Sequence, residues 1–173
     1  MEQQRELLHH LVRRPMVVRS VIVVALYVLM VTKVFGMLPI AMEHVIDLKI
    51  RFDSSLVWQD IERQVAGGRD GYLVFHLIDY LFILFFYPLL RQFALRIGGG
   101  GIVLPNLALA AGLMDLLENI WIDVMLLMYP LQSSWMPLVV SAATTLKFLC
   151  LAMVLMGILG NGARRKLIHR RRR

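Results

Sequence analysis

Four long apolar stretches, each interrupted by ionisable side chains, constrain this chain more than any other feature. They run over about 17–42, 72–90, 102–129 and 135–159. Lys33 lies in the first, His76 and Asp79 in the second, Asp115, Glu118 and Asp123 in the third, and Lys147 in the fourth. Roughly 20 apolar residues cross a ~30 Å hydrocarbon layer as a helix. A charge in hydrocarbon costs at least ~2.5–3.5 kcal/mol on insertion scales, so such residues face a bundle interior and find partners there. The expected fold is therefore all-α: a polytopic membrane protein, one domain over 1–173, built as a four-transmembrane-helix bundle.

Composition points the same way. The chain is 58% hydrophobic and 18% charged, where soluble domains carry about 25% charged residues. The first stretch is too long for a cleavable signal, is interrupted by Lys33 and is followed by no small-x-small cleavage site. The net charge of +7 is unevenly placed. Thirteen of the nineteen Lys and Arg fall in three groups: Arg5, Arg13, Arg14 and Arg19; Arg91 and Arg96; and Arg164, Arg165, Lys166 and Arg170 to Arg173. An even number of spans puts all three groups on one side, which the positive-inside rule makes cytoplasmic, so both termini are expected there. The opposite side holds Lys49, Arg51, Arg63 and Arg69 against Glu43, Asp47, Asp53, Asp60, Glu62 and Asp70. The basic termini are expected to touch anionic lipid headgroups. No aromatic interleaving or motif of a nucleic-acid binder accompanies them. Cys150, the single cysteine, excludes an intramolecular disulfide and a cysteine metal site, and reads as a small apolar packing residue.

Along the chain, residues 1–14 read as a short surface helix, with Leu7, Leu8 and Leu11 on its apolar side and Arg13 and Arg14 at the headgroups. Pro15 suits the first turn of the spanning helix, which nears its outer end at Gly36 and Pro39. The outer loop, 43–71, holds a short amphipathic helix. A serine N-cap, Ser54 or Ser55, opens it, and Val57, Ile61 and Val65 share one face beside Trp58. Gly67 and Gly68 end it. Gly98 to Gly101 form a flexible connector, without the Lys-Ser/Thr of a phosphate-binding loop. Ser133, Ser134 and Pro137 mark a tight outer turn, and 160–173 is a basic tail.

Helical spacing sorts the polar residues into faces. Tyr72, His76, Asp79, Tyr80 and Tyr87 fall within about 100° of one another. Asp115, Glu118, Asn119 and Asp123 occupy a ~140° arc, continued by Ala108, Ala111 and Gly112, where small residues let a neighbouring helix approach. Ala143, Thr144, Lys147 and Cys150 share a face of the last span. At ~1.5 Å per residue the charges meet in the outer half of the membrane, beneath the amphipathic loop, leaving the cytoplasmic half dry. The candidate site is Lys33, Tyr72, His76, Asp79, Tyr80, Asp115, Glu118, Asn119, Asp123 and Lys147. Two lysines face Asp79, Asp115 and Glu118, with Asp123 nearer the outer interface. One of the three acids is expected to hold a proton at neutral pH unless a cation occupies the site.

The plain functional reading is inter-helix glue, as polar side chains serve in membrane bundles, in a scaffold, assembly factor or complex subunit with a protein partner in the membrane. The alternative is a polar pocket of Tyr72, His76, Tyr80 and the acids above an apolar floor, holding a lipid headgroup, a sterol-like amphiphile or a cationic ligand. Proton or ion handling is a further alternative. His76 beside Asp79 has acid–base chemistry, but no nucleophile elbow or HExxH motif accompanies it, which leans against an enzyme. His-x-x-Asp and Asp-x-x-Glu superficially resemble metal sites on facing bundle helices. One histidine and two competing lysines argue against a metal, and no cofactor is expected.

The run Leu104-Pro-Asn-Leu-Ala-Leu-Ala-Ala-Gly-Leu-Met-Asp-Leu-Leu-Glu-Asn119 resembles the third helix of an uncharacterised family of four-helix integral membrane proteins, which carries Leu-Pro followed by Asp-x-x-Glu-Asn. Asp47-Leu-Lys-Ile-Arg-Phe, Gly68-Arg-Asp-Gly-Tyr72 and Asp79 look like that family's outer loop and second helix, so the likeness covers about 44–128. It implies the architecture and Asp79, Asp115, Glu118 and Asn119 as central positions, and no activity. A looser architectural similarity is to emopamil-binding-like sterol and lipid-ligand proteins, which have four helices, cytosolic termini, intramembrane acids and often a basic tail. No motif matches that group residue by residue.

Overall fold

Every regular element among the described residues is helical. The computed structural model describes residues 2–34, 45–46, 49–50, 53–97 and 101–171, with side chains described for 16–32, 45–46, 49–50, 53–97 and 101–163. The side chains of Lys33, Leu7, Leu8, Leu11, Arg13, Arg14 and the basic tail from Arg164, and the expected helix end at Gly36 and Pro39, lie outside the described residues. There are four helices among the described residues: α1 (Glu2–Leu29), followed by a π turn (Met30–Val34), α2 (Ser54–Ile97), α3 (Val103–Met128) and α4 (Met136–Arg171).

Two local features differ from expectation and a third agrees with it. A surface helix separate from the first span is not found: α1 runs unbroken through Pro15, whose ring removes one donor from the ladder without ending it. The cap of α2 is Asp53, not a serine. Its Oδ1 accepts the Ser55 N–H at 2.9 Å and the Ser55 hydroxyl at 2.7 Å, because the carboxylate one residue earlier reaches the free amide of the first turn. At Gly68 the backbone leaves the helical region (φ 126°, ψ 87°), so the amphipathic helix ends there as expected and α2 is two helices meeting at a kink, an arm (54–67) and a long stem (69–97). Only glycine takes such a conformation readily.

The Asp53 cap titrates. Hydrogen bonds from the Ser55 hydroxyl and amide hold its carboxyl below the ordinary value of 3.8. A depressed carboxyl contributes stability that is present above its unfolded value and lost as pH falls through its folded one. The expected outcome is that acid titration below pH 3.8 frays the arm while Asp53→Asn, which caps without ionising, removes that pH dependence. Trp58 fluorescence reports it, since its indole Nε1–H donates to the Ser133 carbonyl at 2.9 Å.

α3 packs between the α2 stem and α4, and α1 packs on α2. Connections this short between helices make them antiparallel neighbours. Pro105 and Pro137 sit in the first turns of α3 and α4, where a missing donor costs little. Two larger apolar cores result, beside a small cluster of Val45 and Phe75. Near the arm, Val57, Trp58, Ile61, Ile122, Met125, Leu126, Met136 and Val140 pack together. Toward the glycine connector, Ile83, Tyr87, Leu90, Ala94, Ala108, Ala111, Cys150 and Val154 do so. The arm closes its end of the bundle, and the Ser54 hydroxyl also donates to the Ser134 carbonyl at 3.1 Å. Large apolar side chains are exposed on every helix, including Val21, Leu77, Leu113, Leu127 and Met156. Two helical segments, Ser54–Ile97 and Met136–Ala163, are long and apolar enough to cross a membrane.

Candidate functional site: a three-tier polar column

Between the two apolar cores the facing sides of α2, α3 and α4 carry a column of polar side chains. Asp115 and Glu118, three residues apart on α3, straddle Lys147 of α4. The Lys147 Nζ donates to Asp115 Oδ1 at 2.9 Å and pairs with Glu118 Oε2 at 2.5 Å. All three are buried, Glu118 completely. From α2 the Tyr87 hydroxyl donates to the other Asp115 oxygen at 2.7 Å. The Thr144 hydroxyl lies 2.6 Å from Glu118 Oε1 and 2.8 Å from the Val140 carbonyl. It has one proton to give, and the charged acceptor makes the stronger bond.

One turn along α3, Asn119 Nδ2 donates to Asp79 Oδ2 of α2 at 2.6 Å. In the third tier the His76 Nδ1 lies 2.5 Å from Asp123 Oδ1, and the Tyr80 hydroxyl donates to Asp123 Oδ2 at 2.6 Å. A carboxylate that accepts on both oxygens fixes the tautomer: Nδ1 carries the proton, and in the neutral ring Nε2 is left as a bare acceptor. That Nε2 is buried with no hydrogen-bond partner among the described residues, and so is Asn119 Oδ1.

The ten expected site residues thus separate. Asp115, Glu118 and Lys147 meet in one clasp, Asp79 and Asn119 in a second contact, and His76, Tyr80 and Asp123 in a third. They form a column and not one knot, because Asp115 and Asp123 are eight residues, about 12 Å, apart on one helix. His76 binds Asp123 across helices, not Asp79 on its own helix. Tyr72 has a different place. Its hydroxyl accepts the Ile46 N–H at 3.1 Å, and its ring stands edge-on to His76 at 4.6 Å. The Lys33 side chain lies outside the described residues. The apolar core around Trp58 lies at the end of the column near the arm.

Four participants escaped the candidate set. Tyr87 and Thr144 lie on the right faces but complete the clasp only because α2 and α4 both cross α3 at Asp115 and Glu118. Asp60 and Gln64 of the arm are buried, and Lys49 donates to Asp60 at 3.2 Å. Their signal was present in the spacing of Val57, Asp60, Ile61 and Gln64, which is that of one helical face. Among the described residues no group of three or more His, Cys, Asp or Glu side chains is placed to hold a metal ion. The chain matches no protein-family model, no curated protein and no solved structure.

Proposed function

We propose that the protein is a non-enzymatic integral membrane protein, a scaffold, assembly factor or complex subunit. In this reading its four helices span the bilayer with both termini cytoplasmic, the arm covers the outer end, and the polar column interlocks α2, α3 and α4. The observation that carries the reading is the Lys147 clasp, in which a buried ammonium and two carboxylates from facing helices satisfy one another. Such a set is costly to break and has no need of substrate. The exposed apolar girdle supplies the lipid-facing surface, and the basic residues meet anionic headgroups. Membership of the four-helix family that Asp115-Leu-Leu-Glu118-Asn119 resembles belongs to the same proposal.

The test replaces Lys147, Asp115 and Glu118 together by Met, Leu and Leu. The reading expects a folded bundle that stays in the membrane and keeps whatever protein co-purifies with the native chain. A folded triple variant that loses that companion would assign the clasp a binding role instead. A lipid or amphiphile site in the same column is the second reading, favoured by the bare acceptors on His76 and Asn119.

A further inference from the structure

We propose that the His76–Asn119 region binds a primary ammonium group, supplied in the membrane by the head group of an aminophospholipid. The inference rests on the membrane-bundle reading and assigns that bundle a ligand. It begins with hydrogen-bond bookkeeping. Asn119 Oδ1 is an acceptor, as is His76 Nε2 in the neutral ring; both belong to fully buried residues, and neither has a hydrogen-bond partner among the described residues. They belong to neighbouring tiers, about one helical turn or ~5.4 Å apart along the column. A buried acceptor left bare keeps its full desolvation penalty, so two in adjacent tiers call for one group that donates more than once.

Charge selects what that group is. Away from the basic end of the first span at Arg19, the spans contain Asp79, Asp115, Glu118 and Asp123 against Lys33 and Lys147, an excess of carboxylates even with both lysines counted. Lys147 is committed to Asp115 and Glu118. Asp123 is held by the Tyr80 hydroxyl and the His76 ring. A cation that also donates satisfies both needs. A primary ammonium has three N–H groups, and the aromatic rings of Tyr72, Phe75 and Tyr80, with centroids 4.6, 5.8 and 6.4 Å from the His76 ring, suit its charge. A quaternary ammonium carries the same charge and no N–H, so it leaves both acceptors bare.

Access and depth fit a lipid. The Asp123 side chain is 20% exposed and Tyr80 is half-buried, so this tier has an open side beside the buried His76. Asp123 lies five residues from the end of α3, about 8 Å below it, within reach of a head group entering between α2 and α3.

The experiment incorporates the full-length protein into lipid nanodiscs containing equal amounts of phosphatidylethanolamine and phosphatidylcholine with identical acyl chains. Retained lipid is counted by native mass spectrometry after release. One ethanolamine lipid per chain is expected, preferred about tenfold or more, as one hydrogen bond to a charged donor allows. His76→Asn places a donor where Nδ1 serves Asp123 and removes Nε2. It is expected to retain helicity and bring the preference close to unity. Equal retention of the two lipids by the native protein, or an undiminished preference in His76→Asn, would overturn the proposal. Displacement of the lipid by equimolar free ethanolamine would overturn the lipid as the source. Failure of the membrane reading looks different: the protein then does not enter the discs at all.

Discussion

Lys147→Met is expected to lower the stability of the bundle by about 3–5 kcal/mol, the cost of removing one partner from a buried ion pair. The variant leaves Asp115 and Glu118 on one face of α3 with no ammonium between them, and Glu118 has no exposure through which to recover solvation. Glu118→Gln is expected to cost less, because Lys147 keeps Asp115 at 2.9 Å. Removing all three charges together is expected to return stability close to the native value, since apolar replacement of a whole buried ionic set is often neutral or better. Unfolding in mixed micelles, followed by helicity, reads all three. Raising the salt concentration is expected to change the native value little, because buried pairs are weakly screened. A Lys147→Met variant within about 1 kcal/mol of the native protein, no more than an exposed pair contributes, would remove the clasp from the account.

The second large effect concerns Gly112. A Cβ built there falls 2.7 Å from Tyr87 Cγ and 3.0 Å from Tyr87 Cβ. These atoms lie at the root of the side chain, so the ring cannot swing clear without moving its hydroxyl off Asp115. Gly112→Ala therefore combines overpacking, about 1–3 kcal/mol, with loss of a hydrogen bond to a charged group, about 1.5–3 kcal/mol. Helix propensity works the other way by about 1 kcal/mol, so net destabilisation of about 2–5 kcal/mol is expected on these figures. Gly160→Ala is the control, since its added Cβ meets nothing within 4 Å. That substitution is expected to be neutral or to stabilise by up to about 1 kcal/mol. Equal behaviour of the two variants would contradict the close contact of α2 with α3.

The helical character of the chain was legible because long apolar runs are a property of composition alone. That Asp115, Glu118 and Lys147 need partners was legible for a similar reason, since a charge on an apolar helix must be neutralised somewhere. Which partner each finds was not. His76 and Asp79 share a face of α2, and spacing on one helix invites pairing them. The observed partner of His76 is Asp123, a choice fixed by the register in which α2 crosses α3. The same limit hid Tyr87 and Thr144, whose roles exist only at the crossing. Asp60 and Gln64 were legible and passed over: they share the helical face of Val57 and Ile61, and the arm, lying across the bundle end, buries that face. Pro15 was read as the start of a new helix where α1 continues with a donor missing, while Gly68 does divide two helices, as a glycine pair after an amphipathic stretch suggests.

The measurement that bears most directly on the membrane bundle is sidedness. Cys150 is the only cysteine, so a Cys150→Ala background accepts single cysteines in place of Gln4, Gln59 and Arg170, probed with a membrane-impermeant maleimide on intact cells. The account predicts labelling at position 59 from outside, and at positions 4 and 170 only after permeabilisation. Labelling of 4 and 170 from opposite sides, or of 59 from the same side as both, would contradict it.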